Sequence, residues 1–315
     1  MRATELKILQ QKDFLALADL SGDQILHLLE LAKDIKNKLS KGEEYRPLNG
    51  KTLGMIFEKS STRTRVSFEV GMLQLGGHAL FLSSNDLQIG RGETISDTAK
   101  VLSQYLDGIM IRTFEHEKVK ELAANADIPV INGLTDSAHP CQALADLLTI
   151  QEVKGSLKGF KMAYIGDGNN MAHSLMIACA KTGMDFAIGC PSNYMPDNEI
   201  VELAQKEAAA NNCKIEVHTS AEAAIKDADI VYSDVWTSMG QEQENELRLK
   251  EFKDYQINAE LVSGAKTDYI FMHCLPAHRE EEVTAEIIDG PHSVIFHQAG
   301  NRLHAQKAIL VDLMS

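Results

Sequence analysis

Residues 57–69 read "FEKSSTRTRVSFE", and positions 60–65 of that stretch hold four hydroxyl side chains and two arginines. Both side-chain types bind anions. A guanidinium offers a planar fork that matches phosphate, and Ser or Thr hydroxyls donate at close range. If a helix begins near Ser61, its first backbone N–H groups and the positive end of its dipole point at the same spot. Ser61, Thr62, Arg63 and Thr64 are therefore the candidate phosphate ligands. A Walker A loop is excluded, because its glycines and Gly-Lys pair are missing. The competing account is a capped helix with both arginines on a solvated face.

A second stretch, "YIGDGNNMAHS" (164–174), begins like a dinucleotide fingerprint but has Met171 where the third glycine belongs. The next predicted strand ends "AIGCP" and offers no acid for a ribose, so an NAD-dependent dehydrogenase is kept only as an alternative of another class. Asn169 and Asn170 are expected to present amides to a polar ligand instead. The five cysteines, Cys141, Cys179, Cys190, Cys213 and Cys274, form neither a close pair nor a Cys/His array. No metal site and no disulfide framework are expected.

These residues need elements to hold them. Ser21 with Gln24 reads as a capping box, followed by apolar residues at helical spacing. Short apolar runs then alternate with helical stretches at 52–58, 78–83, 108–113 and 129–134, and a helix is expected from Pro140 to Val153. After "KGSLKG", further runs occur at 161–167, 185–190, 214–219, 229–234, 269–274 and 293–298. The pattern predicts an α/β protein with two doubly wound parallel-sheet domains in tandem, residues 1–150 and 151–298. The last helix, about 299–315, is free by sequence to pack back onto the first domain. Ligands of such sheets bind outside the carboxyl ends of the strands. The loaded segments "SSTRTR", "RTFEH", "TDSAHPCQ", "GDGNN", "SDVWTSMG" and "HCLP" all fall there, as two rows expected to face each other across an interdomain cleft.

The totals agree with this organisation. A chain of 315 residues suits two domains, and 44% hydrophobic with 24% charged residues is a globular composition. No segment reaches the length of a membrane span and the N-terminal residues are charged, so a cytoplasmic protein without membrane attachment is expected. A formal charge of −14 argues against a general nucleic-acid surface and makes any anion site local.

Taken together, "STRTR", "MIRTFEH", "HPCQ", "DVWTSMG", "HCLP" and "NRLHAQK", in this order and spacing, resemble the carbamoyltransferases, most closely their ornithine-using branch. The resemblance spans about residues 5–313. It implies a first domain binding carbamoyl phosphate, a second binding the amino acid, and a homotrimer, or a multiple of trimers, with active sites at subunit interfaces. Ser61, Thr62, Arg63 and Thr64 would hold the phosphate, with Arg112 bridging phosphate and carbonyl oxygen. His139 would donate to that oxygen, Gln142 would accept from the carbamoyl amide, and Gln88 would complete the phosphate site of a neighbouring subunit. Asp234 would pair with the α-ammonium of ornithine, while Asn170, Ser238 and Met239 would meet its carboxylate. Cys274 and Leu275 would lie beside the reacting groups, with Arg302 bordering them. Arg112, His139, Cys274 and Arg302 are the implied catalytic set; His273 and Pro276 are given supporting roles, and Cys141 a packing role.

The implied reaction moves the carbamoyl group to the δ-amine of L-ornithine by direct attack through a tetrahedral intermediate, giving L-citrulline and phosphate in arginine metabolism. It requires no metal or organic cofactor. A lysine-like amine is neutral in only about one part in 2,500 at pH 7, equivalent to about 4.6 kcal/mol, so desolvation and nearby cations are needed to favour the neutral form. Within the family, aspartate would require a basic loop that "DVWTSMG" lacks. Putrescine would leave the "SMG" segment without a carboxylate, and acetylornithine would leave Asp234 without its ammonium.

Overall fold

The computed structural model describes residues 9, 11–89, 92–238, 240 and 242–315. Ser21 Oγ accepts from the Gln24 N–H and Gln24 Oε1 accepts from the Ser21 N–H, a reciprocal box that starts α1 (Gly22–Ser40). Ile25, Leu28, Leu29, Ala32 and Ile35 then bury one stripe of this helix. The chain continues as β1 (Thr52–Phe57), α2 (Thr62–Gln74), β2 (His78–Ser83), α3 (Ile95–Leu102), β3 (Gly108–Arg112), α4 (His116–Asn125), β4 (Val130–Leu134) and α5 (Pro140–Lys154). The second series is β5 (Lys161–Ile165), α6 (Asn170–Thr182), β6 (Asp185–Gly189), α7 (Asn198–Asn211), β7 (Ile215–His218), α8 (Ala221–Ile225) and β8 (Ile230–Ser233). It closes with α9 (Asn245–Glu251), α10 (Ala259–Val262), β9 (Ile270–His273), α11 (Ala285–Ile288) and α12 (Ile295–Met314).

Two compact units result, Met1–Leu148 with Gly300–Ser315, and Thr149–Ala299. Each contains one wholly parallel sheet, ordered β2-β1-β3-β4 in the first and β7-β6-β5-β8-β9 in the second. The fold is thus α/β with two doubly wound sheets, as the alternating pattern predicts. Central strands such as "GIMIR" and "IVYS" are buried throughout, because helices cover both faces and leave no solvated side to alternate with. The first core gathers Ile56, Ile109, Ile111, Leu122 and Val130; the second gathers Ile165, Val231, Phe271, Val283 and Ile295.

The strand order reverses between β1 and β3 in one sheet and between β5 and β8 in the other, and crevices at such switch points are where these sheets bind ligands. Residues 58–64 and Arg112 flank the first reversal, while Asp167–Asn170 and Asp234 flank the second.

One expected strand is absent. Residues 293–298 were expected to form a tenth strand, but Ser293 makes a single bridge to Phe271, and α12 has begun by Ile295. The Gln298 N–H bonds the Val294 carbonyl at 2.9 Å. Ile295, Gln298 and Arg302 are buried while Phe296 is 75% exposed, a helical spacing that a short apolar run does not reveal. The end of α12 belongs to the first unit: Leu9 N–H donates to Asp312 Oδ2 at 3.2 Å and Lys307 Nζ to Gln74 Oε1 at 2.8 Å. Among the described residues, no helix is long and apolar enough to cross a membrane.

Candidate active site

In the first unit, Ser61 has extended backbone geometry and caps α2, its Oγ accepting from the Thr64 N–H at 3.2 Å. The helix therefore starts where the sequence places it, and Ser61 Oγ also contacts Thr64 Oγ1 at 3.1 Å. Arg302, from α12, donates through Nη2 to Thr64 Oγ1 at 2.8 Å and through Nη1 to Gln142 Oε1. Gln142 Nε2 in turn donates to Asp146 Oδ1 at 2.7 Å. Thr64, Gln142, Asp146 and Arg302 are all buried. One guanidinium thus ties the start of α2 to the first turn of α5, using the fork that a lysine lacks.

His139 immediately precedes α5, and Arg112 ends β3; both are buried. Burial, then the charges of Arg302, Arg112 and Arg63, hold the His139 imidazole well below its usual range. The ring is neutral at physiological pH. Three guanidinium groups around one neutral imidazole describe a site with a surplus of positive charge, suited to a multiply charged anion. The two arginines of the opening stretch separate here. Arg63 joins this group, whereas Arg65 is exposed, paired with Glu69 Oε1 at 2.9 Å and lying over the Phe81 ring at 3.8 Å. The solvated-face account holds for Arg65.

Thr62 is exposed at the first helical position. Gln88 is exposed on the loop after β2, and among the described residues no hydrogen bond joins it to this network. Cys141 is buried with its thiol pushed up to about 12, and Sγ contacts Asn132 O at 3.4 Å, in keeping with packing.

Two further residues of this unit, Glu58 and Lys59, escaped the sequence reading. Buried Lys59 pairs with Asp136 and lies over the Phe114 ring at 4.3 Å. It joins the loops after β1, β3 and β4, which carry the phosphate segment, Arg112 and His139. Glu58 accepts from Lys118 Nζ at 2.9 Å and from the Thr113 hydroxyl, fastening the same corner. The signal was the "EK" immediately before "SSTRTR".

In the second unit, Asn169 caps α6, its Oδ1 accepting from the N–H groups of Met171 at 2.9 Å and Ala172 at 3.3 Å. Its Nδ2 donates to Asp234 Oδ2 at 3.3 Å, so its amide is engaged inside the protein, contrary to the expectation that it faces a ligand. Asp234 Oδ1 accepts from the Val235 N–H at 2.8 Å and from the Cys274 thiol at 2.9 Å. Asp234 and Cys274 therefore meet although they lie 40 residues apart. Asn170 opens α6 and is half-buried, as is Ser238. Met239 lies outside the described residues.

"HCLP" is arranged by His273. Its Nδ1 accepts from the Leu275 N–H at 2.9 Å, which leaves the proton on Nε2, 3.3 Å from Glu282 Oε1. Leu275 takes a φ of 59° and precedes a cis peptide to Pro276. A second fastening holds the segment after Asp234: Arg248 Nη1 donates to Asp167 Oδ2 at 2.7 Å and to Trp236 O at 2.9 Å, and its guanidinium lies over Tyr194 at 4.7 Å. Burial raises the Asp167 carboxyl above its ordinary range, with Arg248 opposing the shift. Neither Asp167 nor Arg248 stands out in the sequence, because their pairing joins segments 81 residues apart.

The site residues bear on metals and nucleotides too. Asp234, His273 and Cys274 have donor atoms within 4.8 Å of one another, as do His278, Glu281 and Glu282. In the first set, Nδ1 and the thiol are engaged with Leu275 and Asp234 rather than turned to a common point. The "GDG" turn does not fit a pyrophosphate. A Cβ on Gly168 would lie 2.3 Å from Pro196 N and 2.5 Å from Met195 C, so the chain's own backbone fills the approach that a dinucleotide needs.

Comparison with known proteins also divides the chain in two, although the second family model runs to residue 313 of α12, which packs with the first unit. Residues 12–152 match the carbamoyl-P binding domain model of aspartate/ornithine carbamoyltransferase, and residues 158–313 match its Asp/Orn binding domain model. The chain is 64% identical over 306 residues to ornithine carbamoyltransferase of Anoxybacillus flavithermus, covering 97% of this chain and 98% of that one. It is 64% identical over 305 residues to ornithine carbamoyltransferase of Bacillus subtilis, covering 96% and 94%. Among solved structures, ornithine carbamoyltransferase from Pyrococcus furiosus superposes with a TM-score of 0.94 at 55% identity, covering 96% of each chain. With both domain models matched, relatives 64% identical over nearly the whole chain and a solved structure of the same fold, the chain belongs to the aspartate/ornithine carbamoyltransferase family.

Proposed function

We propose that this protein transfers the carbamoyl group of carbamoyl phosphate to the δ-amine of L-ornithine, giving L-citrulline and phosphate. The observation that carries the reading is the buried, neutral His139 set among Arg63, Arg112 and Arg302 beside the capped start of α2. Phosphate sits at the helix start, where Ser61, Thr62, Thr64 and Arg63 donate to it. Arg112 and His139 donate to the carbamoyl oxygen, and Gln142, oriented by Arg302, accepts from the carbamoyl amide.

Negative charge grows on the carbonyl oxygen as the amine attacks, and one well-placed donor in a dry site typically lowers the barrier by about 3 kcal/mol. A neutral His139 keeps one ring N–H for this role without adding a fourth full charge. The tetrahedral intermediate expels phosphate, which takes up the amine proton and so removes the need for a protein base. In the second unit Asp234 receives the α-ammonium, with Asn170 and Ser238 at the carboxylate. Cys274, whose thiol proton points at Asp234, polarises and positions rather than forming a covalent intermediate.

The working enzyme is a trimer or a multiple of trimers. Support comes from apolar side chains left in solvent on α2, β2 and α3 and just beyond: Val66, Leu73 at 72%, Leu80, Phe81, Val101 and Tyr105 at 74% exposure. Exposed Gln88 then serves a neighbouring subunit's phosphate. Five free cysteines suit a cytoplasmic setting. A colorimetric citrulline assay with ornithine, putrescine, acetylornithine and aspartate as acceptors tests the reading. Product from ornithine alone is expected; carbamoylation of another amine at equal rate would reject it.

A further inference from the structure

Asn169 stands next to Asn170, yet both ends of its amide are engaged by the protein. Three donors converge on its Oδ1: the Met171 N–H, the Ala172 N–H and the Tyr164 hydroxyl at 3.2 Å. Burial pushes the Tyr164 phenol well above its usual range, so that hydroxyl keeps its proton. Three donors on one atom fix the orientation of the amide, and Nδ2 can only face the other way, onto Asp234 Oδ2. The same carboxylate is held on Oδ1 by the Val235 N–H and the Cys274 thiol.

We infer that Asn169 is a positioning residue for amino-acid recognition, aiming the Asp234 carboxylate at the α-ammonium by linking it to the rigid N-terminus of α6. The inference rests on the proposed role of Asp234. It deepens that role, because it makes affinity for the α-amino group depend on a side chain that never touches the substrate. Tyr164 contributes one step further back, through its bond to Asn169 and its stack on Tyr232 at 5.8 Å between ring centroids.

The test uses the full-length protein and L-norvaline, which carries the α-amino and carboxylate groups of ornithine but no δ-amine. Asn169→Ser keeps a capping oxygen and removes the amide donor. Titration calorimetry at saturating carbamoyl phosphate should show norvaline bound about tenfold more weakly, the loss expected for one hydrogen bond to a charged group. Affinity for carbamoyl phosphate should stay within about twofold, as should kcat at saturating ornithine, whereas KM for ornithine should rise in step with the norvaline Kd. If Asn169→Ser folds poorly because the Tyr164 hydroxyl is stranded, the Tyr164→Phe/Asn169→Ser pair removes both partners and gives the same reading.

A double-mutant cycle then separates positioning from plain structure. In an Asp234→Asn background, Asn169→Ser should change norvaline affinity by less than about twofold, because the group it aims is gone. Norvaline affinity unchanged in Asn169→Ser, or a full loss retained in the Asp234→Asn background, would overturn the inference and leave the role of Asp234 standing. If Asp234→Asn itself binds norvaline like the parent, the role of Asp234 falls, and this inference with it.

Discussion

Arg302 offers a test in which charge and geometry give different answers. Its two donors reach Thr64 Oγ1 at 2.8 Å and Gln142 Oε1, and both recipients are buried. Arg302→Met removes two charge-assisted hydrogen bonds, takes the donor from buried Gln142 Oε1 and leaves Thr64 Oγ1 with only its contact from Ser61 Oγ. Letting the groups that Arg302 positions shift by about 1 Å typically costs about 100-fold in rate, or about 2.7 kcal/mol. The measured quantity is kcat/KM for carbamoyl phosphate at saturating ornithine, followed as citrulline. Arg302→Lys restores the charge, but one ammonium cannot span both acceptors, so only part of the loss should return. The imidazole supplies a second readout, because Arg302 is the first charge, after burial, that depresses His139. In Arg302→Met the His139 titration followed by NMR should move up toward its ordinary value of about 6.5, while in Arg302→Lys it should stay low. Full recovery of rate in Arg302→Lys would show that charge alone matters and would refute the network argument, as would an Arg302→Met enzyme within about threefold of the parent.

Activity with limiting ornithine should rise about tenfold per pH unit on the acid side as the δ-amine loses its proton, and a flat profile from about pH 6.5 to about 9 would contradict amine ionisation as the limit. His139, with its folded pKa depressed, should make the protein lose stability as pH falls below about 6.5, by at most about 1.4 kcal/mol per pH unit until the folded value is passed. In His139→Asn that share of the acid sensitivity should vanish from thermal melts, and an unchanged acid slope would count against it. Lys59→Met strands no buried charge, because Asp136 is 61% exposed at its side chain, so stability should change by no more than about 1 kcal/mol while KM for carbamoyl phosphate rises. A KM equal to the parent's would show that the three loops hold their places without it. Cys274→Ala should retain measurable turnover, and acid-quenched mass spectrometry of the parent should find no carbamoylated thiol; a trapped adduct would overturn direct attack.

What the sequence reveals and what it hides divide along a physical line. Parallel strands covered on both faces, such as β3 and β8, are continuous apolar runs that can be read directly, and their carboxyl ends point to the loops that follow them. The cap at Ser61 and the capping box at Ser21 are local, built from residues three apart, and are equally legible. Residues 293–298 misled because a three-residue apolar run has no period of its own, and the helix shows itself only in which side chains are buried. The fastenings between distant segments were invisible. Arg248 with Asp167, Lys59 with Asp136, and Asn169 with Asp234 each join loops that only the folded sheet brings together. Asn169 and Asn170 look alike in "GDGNN", yet the backbone turns one inward to hold Asp234 and leaves the other at the mouth of the helix.

The proposal that carbamoyl phosphate binds at the start of α2 bears most directly on how this enzyme works. Titration calorimetry should find carbamoyl phosphate bound by the parent and about a hundredfold weaker, or undetectable, in Arg63→Ala, as expected for the loss of a two-pronged guanidinium–phosphate contact. Equal affinity in the two proteins would contradict the account.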